Sequence, residues 1–135
     1  KRQHPNFQMQ FLISGYGHSL AIDSNNNTYS WGYNASGQCG HGYNDQCVEE
    51  PKLIETLKEY KISTIKCGHG MSYCMSECGK HFIWGTNQSN ECLTYDDKEE
   101  VMKPRRIDEI IKNKCATNNI IDIYPGYKST RIICE

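Results

Sequence analysis

The sequence has almost no net charge. Its 135 residues carry 15 Lys and Arg against 16 Asp and Glu, a formal balance of −1 at pH 7. A surface made to neutralise nucleic-acid phosphates would be strongly basic, so no general nucleic-acid partner is expected. No apolar run approaches the roughly 18 residues that a membrane-crossing helix needs, so no membrane partner is expected either. No secretory leader is visible at the start of the chain. There is no Gly-rich phosphate cradle and no converging pair of carboxylates. The chain is therefore expected to be no enzyme and to hold no cofactor.

What the sequence does have is repetition. Residues 15–22 (GYGHSLAI), 29–34 (YSWGYN) and 37–40 (GQCG) return 53 positions later as 68–75 (GHGMSYCM), 82–87 (FIWGTN) and 90–93 (NECL). Gly15 maps to Gly68, Trp31 to Trp84, Gly32 to Gly85, Asn34 to Asn87 and Cys39 to Cys92, and Pro51 maps to Pro104 without a gap. A third copy opens at Gly126 (GYKSTRII). A period near 50 residues signals a solenoid, a propeller or an array.

Within each unit the apolar residues alternate. Leu20 and Ile22 flank Ala21, Tyr29 and Trp31 flank Ser30, and Phe82 and Trp84 flank Ile83. Period-2 runs broken by Gly, Asn and Asp read as strands. Asn26 aligns with Gly79, which marks a hairpin turn at positive φ. Further strands are expected just after Pro51 and just before Gly68. About four antiparallel strands per unit is the content of a propeller blade. The fold class is therefore all-β, with one propeller domain spanning 1–135. Repeat one covers about 11–63, repeat two about 64–121, and a third starts at about 122–135. Pro51 and Gly68 are 17 residues apart, but Pro104 and Gly126 are 22 apart, so five extra residues are expected in a surface loop within 111–119. Trp31 and Trp84 are expected to be buried at equivalent places in adjacent blades.

The ordered set Gly15, His18, Trp31, Gly32, Asn34, Gly37 and Gly40 resembles the repeat of the regulator of chromosome condensation family. Gly68, Trp84, Gly85, Asn87 and Gly126 carry the resemblance into the later copies. The resemblance implies a seven-bladed β-propeller. Seven units of this size need roughly 370 residues, so the chain is expected to be part of a larger ring whose remaining blades are partners. The second copy departs from the pattern: Asn90 replaces Gly37 and Leu93 replaces Gly40. Asn can hold a left-handed backbone, whereas Leu is expected not to. The founding member of the family acts on the small GTPase Ran. The resemblance thus implies either a protein-interaction scaffold or adaptor, or a guanine-nucleotide exchange factor for a Ran-like GTPase.

Several clusters invite chemistry. Cys67, His69, Cys74, Cys78 and His81 lie close enough in sequence to suggest zinc. The repeat register aligns them with ordinary blade positions such as Ser14, Tyr16, Ala21 and Thr28, and no metal is expected. Cys39 and Cys92 fill one slot in two blades, so free thiols, no disulfides and an intracellular location are expected. The sequons at Asn26, Asn34 and Asn87 point the other way, but Asn34 and Asn87 are expected to serve as loop hydrogen-bonders. His18-Ser19 beside Asp23 suggests a hydrolase; Met71 replaces the histidine in the second copy, so a structural role is expected. Finally, Asp45, Glu49 and Glu50 follow the first glycine motif, and Asp96, Asp97, Glu99 and Glu100 follow the second. Repeat symmetry places both loops on one side, where they form a candidate binding surface for a basic protein partner.

Overall fold

The computed structural model describes residues 9–93, 98–108 and 120–134. Ten strands follow one another: β1 (Met9–Ser14), β2 (His18–Asp23), β3 (Thr28–Tyr33), β4 (Cys47–Leu53), β5 (Ile62–Cys67), β6 (Met71–Ser76), β7 (His81–Thr86), β8 (Glu100–Arg106), β9 (Ile120–Pro125) and β10 (Thr130–Cys134). They form two four-stranded antiparallel meanders, β1-β2-β3-β4 and β5-β6-β7-β8, and a β9-β10 pair. Each strand of the second meander starts 53 residues after its counterpart in the first, so the sequence period is also the structural period.

Local chemistry sets the turns. Between β2 and β3, the Asp23 carboxylate accepts the backbone N–H groups of Asn25 and Asn27, both at 2.9 Å. That Asx arrangement lets Asn26 take φ +66°, and Gly79 takes φ +86° at the same place between β6 and β7. A 3-10 turn at Glu55–Leu57 follows β4 and buries Leu57. The loop insertion expected within 111–119 lies outside the described residues.

β4 departs from the expected strand. It begins at Cys47 and contains Pro51 instead of following it. β4 and β8 are the outer edges of their sheets, where Pro removes no ladder bond that a neighbour needs and blunts the edge against further pairing.

The sheets pack through their inner strands. β5 lies against β1 and β2, and β9 lies against β5 and β6. The core runs continuously through Leu20, Ile22, Ile54, Ile65, Tyr73, Ile83, Trp84 and Ile123. In β2, Leu20, Ala21 and Ile22 are all buried, so both faces of this strand are covered. The expected equivalence of the two tryptophans holds only in part. Trp84 is fully buried between the first and second sheets, but Trp31 is half-buried, because no described sheet lies over its face of β3. Phe11 and Leu12 on β1 are exposed.

Candidate functional site

Each repeat projects a long loop from the end of its third strand, and that loop fastens it to the next repeat. In the first repeat the loop is tied by Asn34. Its side-chain oxygen accepts the Cys39 N–H at 3.0 Å, and its amide donates to the Tyr43 carbonyl at 3.1 Å and to Asp45 Oδ1 at 3.2 Å. Asn87 repeats the device, accepting from Cys92 N at 2.9 Å and donating to the Lys98 carbonyl at 2.8 Å. Both asparagines are buried, so their amides are spent inside the loops and closed to glycosylation. Cys39 and Cys92 sit fully buried against strand carbonyls as free thiols, and burial pushes the Cys39 thiol up to about 12.

The loop then crosses to the second repeat. The Gln38 carbonyl accepts two hydrogen bonds, from Ser72 Oγ at 2.7 Å and from Trp84 Nε1 at 2.9 Å. His18 Nε2 meets the same Ser72 hydroxyl at 2.8 Å. His18 is thus a buried cross-repeat partner, with its imidazole held down at about 4 by burial. Gly15 lies so close to the second repeat that a Cβ would stand 2.5 Å from the Gly68 carbonyl oxygen. The next interface copies the first: the Glu91 carbonyl accepts from Thr130 Oγ1, and Met71 Sδ takes the His18 position at 3.6 Å from that hydroxyl. Sequence reasoning gave Ser72 and Thr130 no role. The recurrence of a hydroxyl residue one place after His18, Met71 and Ser129 is the signal that could have marked it.

Leu93 overturns the expectation drawn from its side chain. It adopts φ +58°, as Asn90 adopts φ +60°, so the whole turn survives without its glycines. Leu93 is buried in the core, and that burial offsets the cost of its left-handed backbone.

The candidate acidic surface is built differently from the expected pair of loops. Asp45 ends the first loop, exposed. Glu49 and Glu50 lie on the edge strand β4, and Glu100 opens β8, so these three are strand residues and not loop residues. The two repeats do meet here: Gly42 N donates to the Met102 carbonyl at 2.8 Å, and the Asn44 amide donates to Glu100 Oε1 at 3.2 Å. Asp45 and Glu100 are thereby brought to one surface, with the exposed Glu99 beside Glu100. Asp96 and Asp97 lie outside the described residues. Basic side chains share the rim. Lys52 Nζ donates to Tyr43 Oη at 3.1 Å, and Lys103 lies along Gly42.

A row of rings crosses the hairpin loops between the first and second strands of the three repeats. Tyr16 stacks on His69 with centroids 4.4 Å apart, and His69 meets Tyr127 edge-on at 4.6 Å. The residues that suggested zinc are dispersed: His69 is in this row, Cys74 is in the core, Cys78 is on an exposed turn, and His81 Nδ1 bonds Tyr73 Oη at 2.8 Å. Among the described residues no three His, Cys, Asp or Glu side chains form a group that could hold a metal ion. The expected absence of disulfides is corrected at Cys134, which is disulfide-bonded. No described helix is long and apolar enough to cross a membrane.

Four-stranded meanders packed side by side through their inner strands, at one fixed period, are blades of a β-propeller. The model of the regulator of chromosome condensation (RCC1) repeat matches residues 25–75. The E3 ubiquitin-protein ligase HERC2 of Mus musculus is 28% identical over 132 residues, covering 98% of this chain and 3% of that protein. Human WBSCR16 superposes with a TM-score of 0.76 at 18% identity, over 99% of this chain and 32% of that one. Prp20p of Saccharomyces cerevisiae superposes with a TM-score of 0.73 at 19% identity, over 96% of this chain and 31% of that one. The chain therefore spans a small part of the proteins it matches. It belongs to the RCC1 repeat family.

Proposed function

We propose that this chain is a protein-interaction module, a segment of a propeller that serves as scaffold or adaptor and binds its partner through inter-repeat loops. One observation carries the reading: the loop after β3 and the start of β8 bring Asp45 and Glu100 to one surface through Asn44. Loops held by a rigid sheet are where repeat proteins carry binding. Asp45, Glu99 and Glu100 make the surface attractive to a basic protein. The module binds and does not catalyse bond chemistry. A location inside the cell is part of this proposal: six described cysteines are free, and Cys134 is the exception.

Reversing Asp45, Glu99 and Glu100 to Lys tests the reading. Recovery of native partners from cell extract should fall, mainly through slower association and more at low salt. Melting should fall only modestly, since Glu99 is exposed and the Asp45 and Glu100 reversals each remove one hydrogen bond worth about 0.5–1.5 kcal/mol. Unchanged recovery with a folded variant would reject this surface.

A second reading, guanine-nucleotide exchange on a Ran-like small GTPase, draws support from the family and from Prp20p, which is described by its binding to Gsp1p and histones. Its assay is release of a fluorescent GDP analogue from such a GTPase. Acceleration by the protein supports exchange; an unchanged release rate rejects it.

A further inference from the structure

The first two repeats leave a cleft between them. It encloses about 490 Å³ and is walled by Tyr16, Tyr33, His69 and Thr86, with Gly17 and Gly70 among its lining. Tyr16 is 78% exposed and Tyr33 is 51% exposed, so two large rings face solvent where apolar area is usually hidden. Tyr33 also walls a second depression of about 410 Å³, which Asn44 and Asp45 line. Among the described residues no Lys or Arg lines either depression, and Asp45 is the single carboxylate. The Asp45 carboxylate is fixed in place, since Oδ1 accepts from the Asn34 amide at 3.2 Å. Its Oδ2 accepts no hydrogen bond among the described residues.

We propose that this paired cleft receives an extended segment of a protein partner, placing an arginine across Tyr33 onto Asp45 and an apolar side chain between Tyr16 and Tyr33. The chemistry selects the occupant. A carboxylate beside the electron-rich Tyr33 ring, in a depression that no described Lys or Arg lines, is complementary to a cation. A guanidinium is flat and weakly hydrated, so it can lie on the Tyr33 ring while its N–H fork reaches the carboxylate. An ammonium must choose between the two. The apolar cleft on the other side of Tyr33 then takes the neighbouring residue. This inference rests on the protein-interaction reading and specifies a partner chemistry for it.

The probe is a phage-displayed random dodecapeptide library selected on the purified protein, followed by synthesis of the strongest binder. Selected sequences should carry an arginine next to an apolar or aromatic residue. Binding of the synthetic peptide should weaken about tenfold on Tyr33→Ala and on Asp45→Asn, and severalfold when its arginine becomes lysine. Asp45→Asn keeps an oxygen for Asn34 and removes only the charge, so it tests the cleft without disturbing the loop. Glu77→Gln, on the exposed turn between β6 and β7, should leave binding unchanged. Failure to enrich arginine, or binding that survives both Tyr33→Ala and Asp45→Asn, would overturn the proposal. If the Asp45, Glu99 and Glu100 reversal still abolishes partner recovery in that case, the broader acidic surface stands while the cleft falls.

Discussion

Gly40 packs directly against Trp84 of the second repeat, and replacing it by Ala should cost two separable energies. Gly40 adopts φ +81°, a backbone region that costs an L-residue about 1–2 kcal/mol. A Cβ there would also stand 2.6 Å from Trp84 Nε1 and 3.1 Å from Cδ1 and Cε2. Trp84 cannot yield easily, because it is fully buried and its N–H is fixed on the Gln38 carbonyl. Overpacking a rigid contact adds about 1–3 kcal/mol. The expected total for Gly40→Ala is about 2–5 kcal/mol. Gly79 is the internal control: its φ is +86°, yet nothing lies within 4 Å of an added Cβ. Gly79→Ala should therefore cost only the backbone share, about 1–2 kcal/mol. Urea unfolding of both variants measures the difference. The same Gly40→Ala change made in a Trp84→Ala background should fall to the Gly79 value, since the clashing ring is gone. Equal costs for Gly40→Ala and Gly79→Ala in the parent protein would refute the idea that Gly40 is required by the neighbouring indole.

The remaining predictions concern the interfaces and their titration. Trp84→Ala should destabilise by about 3–5 kcal/mol, and half-buried Trp31→Ala by about half of that or less; a larger loss at Trp31 in thermal unfolding would contradict the uncovered face. Burial holds His18 at about 4 against 6.5 in the free side chain, so the unfolded chain takes up the proton first. The stability that neutral His18 lends is complete above about pH 6.5, declines as pH falls, and is lost by about pH 4, on the order of 3 kcal/mol. His18→Gln should flatten that part of the stability profile, and an identical slope in the variant would assign the loss elsewhere. Lys66 joins the second and third repeats, with Nζ 2.8 Å from Asp122, 3.2 Å from the Ile123 carbonyl and 3.3 Å from the Tyr124 ring centre. Lys66→Met should raise amide exchange in β9 and β10 with little effect in β6; equal exchange in both would show that this lock does not hold the third repeat.

The repeat offset made much of the fold legible before any coordinates. Strict alternation around Ala21, Ser30 and Ile83 marked strands, and equivalence of Asn26 with Gly79 marked a positive-φ turn. Asn34 and Asn87 could be assigned to loop bonding because both copies keep them. The limits have physical causes. β4 was displaced because Pro51 reads as a strand breaker, although an edge strand tolerates it. The branched side chain of Leu93 argues against a left-handed backbone, and the burial that offsets this cost is not encoded in the repeat pattern. Trp31 looked the same as Trp84 because a periodic pattern carries no information about what covers each copy. His18 meeting Ser72, and the Cys134 disulfide, depend on which residues three-dimensional packing brings together, which spacing along one repeat does not encode. Of the acidic candidates, pattern alone put Glu49, Glu50 and Glu100 in loops, while strand pairing carries them onto sheet edges.

The two interfaces show which part of the repeat is constrained by contact and which part is free to vary. In both, the loop carbonyl one residue after the positive-φ turn residue Gly37 or Asn90 accepts a hydroxyl from the next repeat, Ser72 in one and Thr130 in the other. Either hydroxyl can fill this role, because the carbonyl recognises only an O–H at the right distance. The third member of the node differs in kind. His18 engages its hydroxyl through a ring nitrogen, while Met71 offers a thioether, a weak acceptor, at the equivalent place. The same interchange occurs at the turn. Gly40 leaves room for the Trp84 ring, and Leu93 places its own side chain in the core instead. What each junction preserves is a satisfied carbonyl and a filled volume. Repeats can therefore diverge in residue identity while remaining stackable, and their exposed loops stay free to acquire the charges and rings that distinguish one partner from another.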